Sequence, residues 1–141
     1  MPLTVEIADA VVAELNTSNF SQEFEAQRHY RPIFDAAQLK TLRVSVVPKK
    51  IEITSLARNR NQYDVGIDIA VQKKLDSDTN EEIDPLMQLV EEIGEFFRLR
   101  PLASVPATWI KTENVPIYGL EHLDQQRVFT SVLTLTFRTA R

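Results

Sequence analysis

One stretch of this sequence alternates apolar and polar side chains with little interruption: Tyr63-Asp64-Val65-Gly66-Ile67-Asp68-Ile69-Ala70-Val71-Gln72-Lys73-Lys74. Successive side chains of a β-strand point to opposite faces, so a period of two places the apolar residues together on one face. That face is predicted to be buried, while the other is largely polar. A strand with one buried face is typical of an antiparallel sheet.

The residues before this strand predict two further strands. Leu42, Val44 and Val46 alternate with polar or small residues, and a second alternating run extends from Ile51 to Leu56. Between them, Pro48-Lys49-Lys50 is interpreted as a turn, and the segment 58–61 is interpreted as a polar loop. Short polar connections between strands predict an antiparallel meander.

Two helices are predicted on either side of the meander. The first spans residues 5–16, with Thr4 as its N-cap. The second carries a helical stripe from Ile83 to Phe97 and ends before Pro101. Its start has two interpretations: Thr79 with Glu82 as a capping box, or Asp84 as cap with Pro85 in the first turn.

The remaining strands complete an α+β domain. One strand is predicted over residues 107–112 around Trp109, one over residues 128–138, and one near residues 23–31. Asp35 is predicted to cap a short helical turn that ends at Leu39. Strands grouped between helices favour an α+β fold. We therefore expect residues 1–141 to form a single domain whose antiparallel or mixed sheet of four to six strands is flanked by two main helices.

Composition excludes several kinds of chemistry. The chain has 141 residues, a net charge of −4, no cysteine, three dispersed glycines and two histidines. Dispersed glycines exclude phosphate-binding loops, and the histidines lack the spacing of a zinc site. No secretory signal or membrane-length apolar run is visible. We expect no catalytic residue, no metal and no cofactor, and therefore a protein that is not an enzyme.

Charged and aromatic residues near the connections are the candidate interface residues. Basic residues are expected at hairpin ends, and two further side chains lie in an irregular segment over residues 113–126. Long irregular segments are often binding elements. The second helix is strongly acidic, which indicates a solvated face or, alternatively, a surface that docks a basic partner. The candidate residues are Lys49, Lys50, Arg58, Arg60, Tyr118 and His122.

The order of these patterns resembles a known family. The relevant stretches are residues 7–12, Leu42-Arg43-Val44-Ser45-Val46-Val47-Pro48, Ile51-Glu52-Ile53-Thr54, residues 63–74, the acidic helix and residues 129–137. In this order the chain resembles, over nearly its full length, the tail-terminator proteins of long-tailed bacteriophages, also described as tail-completion or minor tail proteins. These stretches are packing patterns and contain no catalytic fingerprint.

The resemblance implies a structural role in a virion. Proteins of this family form rings, commonly hexamers, at the head-proximal end of the tail tube, where they stop tube polymerisation and provide the surface that joins the head connector. It implies three partners: further copies of the chain, the tail tube protein and the head–tail connector protein. No membrane and no sequence-specific nucleic acid are expected as partners. The expected location is the virion tail, after assembly in the host cytoplasm.

Two alternative functions remain open at this stage. The first is a head–tail connector or neck protein, which also forms rings. The second is a small-ligand-binding module or an unusual enzyme, which needs a cleft around His29 or His122. A ring requires a heterologous interface, for which the last strand, the meander loops and residues 17–40 are candidates. Deleting residues 113–126 is expected to abolish rings in a protein that still folds.

Overall fold

The structure is a computed structural model, and it describes residues 1–32, 36–77, 79–119, 123 and 127–141. Within these described residues there are two α-helices of three or more turns, one short 3-10 helix and five strands. In chain order they are α1 (Leu3–Asn16), β1 (Ala26–Arg28), the 3-10 helix (Ala36–Leu39), β2 (Arg43–Ala57), β3 (Arg60–Lys74), α2 (Asn80–Phe96), β4 (Thr108–Glu113) and β5 (Val128–Ala140).

The five strands form one mixed sheet in the order β1-β2-β3-β5-β4. Only β1 and β2 are parallel; the other three pairs are antiparallel. The alternating strand identified from the sequence is the central strand β3, which pairs with β2 on one side and β5 on the other. The predicted α+β class with a mixed sheet and two main helices is confirmed.

Both helices pack on the same face of the sheet. Their apolar stripes join one buried cluster with the odd-numbered positions of β3 and β5, where Ile67 lies beside Leu135. Phe97, immediately after α2, meets Phe137 of β5 with ring centroids 6.4 Å apart and nearly perpendicular planes. Burial of these side chains is the dominant favourable term for this fold.

The predicted turn at Pro48-Lys49-Lys50 is wrong. Residues 43–57 form one continuous strand, and the register against β3 shifts between Pro48 and Lys50. Proline lacks only a backbone donor, so an outer strand at a bulge tolerates it. The two strands predicted on either side of this turn are therefore one.

The observed N-terminal ends of both helices also differ in part from the predicted ones. α1 begins one residue before Thr4, and Pro2 occupies the N-cap position, with its carbonyl accepting from the amides of Val5 and Glu6. Thr4 lies inside the helix and is not the cap. For α2, Thr79 occupies the predicted N-cap position, but its side chain makes no capping hydrogen bond. Pro85 lies within the helix, so the alternative with Asp84 as cap is wrong. The predicted cap Asp35 lies outside the described residues.

Glu82 connects the start of α2 to the segment before it. Its carboxylate accepts hydrogen bonds from the amides of Asp76 (2.7 Å) and Ser77 (2.8 Å) and from the Ser77 hydroxyl (3.0 Å). These donors, the Asp76 amide first, hold the pKa of Glu82 below its ordinary value of 4.5. These hydrogen bonds therefore stabilise the fold more when the carboxyl is ionised than when it is protonated.

We expect Glu82→Gln to weaken the acid sensitivity of the fold. Because the folded pKa of Glu82 is lowered, its contribution is complete above the ordinary value and disappears as the pH falls through the folded pKa. The check is urea unfolding of both proteins between about pH 7 and pH 3. The other carboxylates titrate in both proteins, so equal loss of stability on acidification would contradict the role of Glu82.

Candidate interaction surfaces

The β2–β3 hairpin ends in an exposed segment. Every residue from 49 to 61, here called the hairpin arm, is exposed to solvent. Three large apolar side chains lie on it: Ile51, Ile53 and Leu56 are 42%, 55% and 53% exposed. A cluster of large apolar residues on the surface is typical of an interaction site.

The apolar side of the hairpin arm continues the core face of the sheet. Ile51 is directly opposite the buried Val65, and Ile53 is opposite Tyr63. Side chains directly opposite each other in a sheet share a face, so both isoleucines lie on the helix-bearing face. The outer edge of β2 is paired by β1 only at residues 44–46, and within the described residues no strand covers the edge beyond them.

The base of the hairpin arm is held by polar contacts, which lie on the face of the sheet opposite to the helices. The Lys49 ammonium lies 3.8 Å from the Asp68 carboxylate, which also accepts from Thr134 at 2.7 Å. The Lys50 side chain crosses Gly66, where an added Cβ would lie 3.0 Å from the lysine Cγ. A glycine at this position lets the lysine stem lie flat against the sheet.

An ion pair across β3 and β5 adds to this base. Arg138 donates to both oxygens of Asp64, at 2.8 and 3.1 Å. This hydrogen bonding lowers the pKa of Asp64, so the pair is ionised at neutral pH. These contacts attach the base of the hairpin arm to β3 and β5, while its apolar side is exposed among the described residues.

A second surface lies at the other edge of the sheet, between α2 and β4. It is an open groove of about 670 Å³ with an apolar floor of Val90, Gly94, Trp109, Ile117 and Leu133. The carboxylates of Glu91 and Glu95 and the guanidinium of Arg98 stand around it. We call it the α2–β4 groove.

Exposed apolar side chains continue from the α2–β4 groove onto the segment after β4. Val115, Ile117 and Tyr118 are 84%, 53% and 39% exposed. The two exposed apolar surfaces therefore lie at opposite edges of one sheet, because β2 and β4 are separated by β3 and β5.

Hydrogen bonds to β5 fix the segment that bears these residues. Asn114 Nδ2 donates to Ser131 Oγ (3.1 Å) and to the Val132 carbonyl (2.8 Å). The Ser131 hydroxyl donates to the Ile117 carbonyl, and the Gly119 amide donates to the Thr130 carbonyl at 2.7 Å. Deleting residues 113–126, which the sequence analysis expects to abolish rings, would also remove these hydrogen bonds. Point substitutions therefore test this surface more cleanly than the deletion does.

The structure separates the candidate interface residues into distinct places. Arg58 and Arg60 lie at the tip of the hairpin arm, as expected for a hairpin end. Lys49 and Lys50 lie at the base of the arm, because the expected turn there is absent. Tyr118 lies at the opposite edge, and His122 lies outside the described residues. His29, the other histidine considered, follows β1, and its amide donates to the Val46 carbonyl.

Sequence reasoning did not identify the apolar side chains that dominate both surfaces. Ile51 and Ile53 alternate in the same way as the buried Val44 and Val46, so the pattern predicts a strand and not its exposure. One feature of the sequence does indicate that Ile51 and Ile53 are exposed. Basic residues cluster around this apolar strand, and such residues favour exposure over burial.

Two further features are absent from the described part of the chain. No group of three or more His, Cys, Asp or Glu side chains there is placed to hold a metal ion. None of the helices described is both long and apolar enough to cross a membrane.

The chain is similar to known proteins in structure and not in sequence. No protein-family model matches the chain, and no curated protein matches it. Among solved structures, the chain is similar to the sheath/tube terminator of an extracellular contractile injection system, PVC, in its extended state, determined by cryo-electron microscopy. The identity is 12% and the TM-score is 0.47. The match covers 96% of this chain and 56% of that chain, so this chain spans little more than half the length of the terminator.

Proposed function

We propose that this chain is a structural tail-terminator protein. Copies of it form a ring, which the sequence resemblance implies is a hexamer, at the head-proximal end of a phage tail tube. The ring ends tube polymerisation and provides the joining surface for the head connector. It acts through shape and surface complementarity, without a catalytic step or a cofactor.

The observation that carries the proposal is the hairpin arm, whose exposed isoleucines extend the core face beyond the helices. An exposed apolar arm, held at its base by ion pairs and hydrogen bonds, fits a protein that is completed by its neighbours. The proposal takes its specific form, a terminator of tail tubes, from the order of sequence patterns that the chain shares with that family. The ordered sheet and the uncovered surfaces at two of its edges supply what a ring subunit needs.

The test is assembly with and without tail tubes purified from particles of the same source. We expect light scattering to give a mass of several subunits and electron microscopy to show closed rings at one end of each tube. Tube protein polymerising in the presence of the chain should give shorter tubes that no longer grow. The test variant is Ile53→Asp on the hairpin arm, which changes an exposed side chain, is expected to leave the fold intact and should reduce ring formation.

Other results would redirect or overturn the assignment. Labelled chain found on purified heads and absent from purified tails would favour the head–tail connector alternative. A protein that stays monomeric and does not bind tubes would contradict the proposed function. Binding of a small molecule in the α2–β4 groove with no assembly would favour the ligand-binding alternative.

A further inference from the structure

The two apolar surfaces differ from each other in shape. The hairpin arm is a protruding two-stranded ribbon, whereas the α2–β4 groove is a concave site with an apolar floor. A ribbon and a groove are complementary, but two ribbons or two grooves are not. Shape alone therefore favours contact between unlike surfaces over contact between like ones.

Their charges are also opposite. The hairpin arm has four basic residues and one acidic residue. Helix α2, which forms one wall of the groove, has six carboxylates and neither lysine nor arginine, and Arg98 beyond its end is the one basic residue in the groove lining, so the lining is acidic on balance. Glu82 and Glu92 are engaged by backbone amides of Ser77 and Ser21, whereas Glu91 and Glu95 stand exposed at the groove. Complementary potentials of this kind set the register and the choice of partner.

The positions of the surfaces decide what kind of assembly such a contact makes. An interface between two different patches is heterologous, and it produces a ring when the rotation between neighbours closes. The hairpin arm belongs to β2 and β3, and the groove lies beyond β5 at the β4 edge. Each copy therefore offers an arm on one side and a groove on the other.

We infer that the hairpin arm of one copy docks in the α2–β4 groove of the next copy of this chain. Ile51 and Ile53 cover the apolar floor formed by Val90, Trp109 and Leu133, and the arginines at the tip approach Glu91 and Glu95. This inference rests on the proposed function, since it names the contact that joins neighbours in the ring. It assigns a partner to both exposed surfaces at once.

Cysteine cross-linking tests this contact directly, because the chain contains no cysteine of its own. Ile53→Cys in one batch and Ile117→Cys in another place single thiols on the arm and at the groove, both at exposed positions. After mixing and mild oxidation or a short bis-maleimide, we expect mixed covalent dimers at least about tenfold above those with Ala13→Cys, an exposed position on α1. Glu95→Cys gives a second groove position if Ile117→Cys does not fold.

The double variant Ile53→Cys/Ile117→Cys extends this test from one contact to the whole ring. We expect it to give a ladder of covalent oligomers that stops at the size of the closed ring. Two results would overturn the inference. One is covalent dimers between two Ile53→Cys chains in place of the mixed dimers, and the other is a yield of mixed dimers no higher than the yield with Ala13→Cys. Rings that form normally while these cross-links fail would leave the proposed function standing and reject only this contact, whereas a chain that never self-associates contradicts both.

Charge reversal supplies an independent readout. Arg58→Glu/Arg60→Glu in the arm partner is expected to reduce the mixed dimer yield several-fold, and Glu91→Arg/Glu95→Arg in the groove partner to restore part of it. Failure of the second pair to restore any yield would contradict the predicted approach of the tip to α2.

Discussion

Replacing Phe137 by alanine is expected to lower the free energy of unfolding by about 3–5 kcal/mol. Phe137 is fully buried in β5 and lies opposite Val65 of β3 and Trp109 of β4. Its ring also meets Phe97, just after α2. The side chain therefore joins three strands to a helix, and its removal leaves a cavity that these elements cannot close independently. Since domains are stable by about 5–15 kcal/mol, this loss is a large fraction of the total.

Urea unfolding followed by circular dichroism measures this loss, with Phe20→Ala as the matched control. Phe20 is only partly buried and contacts Phe24 and Phe96 through rings 5.5 and 5.2 Å apart. The same truncation there removes less buried surface and leaves an opening that solvent fills, so the cost should be about half or less. Equal costs at the two positions would show that Phe137 is not central to the core.

The parts of the fold that the sequence predicts well are those set by local periodicity. The alternation from Tyr63 to Val71 identifies β3 because the pleat of a strand imposes a period of two regardless of its neighbours. The closing strand β5 follows from the same argument, and the apolar stripe of α2 follows from the 3.6-residue period of a helix. In β3, a one-residue shift of register would move the whole apolar set to the opposite face of the sheet.

The errors concern features that depend on where an element lies in the sheet. Pro48 is incompatible with a central strand, yet β2 is bordered beyond Val46 by no other described strand, so a missing donor costs little there. The sequence also contains no local signal for where the helices stop covering the sheet. Ile51 and Val46 are equally apolar, and only the tertiary arrangement exposes the first and buries the second.

The candidate surfaces were predicted only in part for a related reason. The basic residues of the hairpin arm were identified because charged turn residues are recognisable from short stretches. The α2–β4 groove combines Val90, Trp109 and Leu133, which are far apart in the chain and meet only because β4 pairs with β5 beneath α2. No spacing rule identifies such a set, since each member reads locally as an ordinary core residue.

The second large effect is expected at Asn16, the last residue of α1. Its side-chain amide forms the pair of hydrogen bonds that a neighbouring strand would form with the backbone of Ala26. Asn16 Oδ1 accepts from the Ala26 amide at 2.8 Å, and Asn16 Nδ2 donates to the Ala26 carbonyl at 3.0 Å. Ala26 is buried and begins β1, the edge strand beside β2. Asn16→Ala leaves both backbone groups without these partners, so we expect a loss of about 1–3 kcal/mol in the free energy of unfolding.

Two further variants separate this pair of hydrogen bonds from a general effect of changing the helix end. Asn16→Asp keeps an oxygen for the Ala26 amide but places a second oxygen against the Ala26 carbonyl, so at neutral pH it should be no more stable than Asn16→Ala. Asn19→Ala, at an exposed position three residues later, should change stability by less than about 0.5 kcal/mol. If aspartate were tolerated as well as asparagine in urea unfolding, the donated bond to Ala26 would contribute nothing. Attachment of β1 would then depend on the bond from the Ala26 amide, on the ion pair of Arg28 with Asp9 and on the parallel pairing with β2.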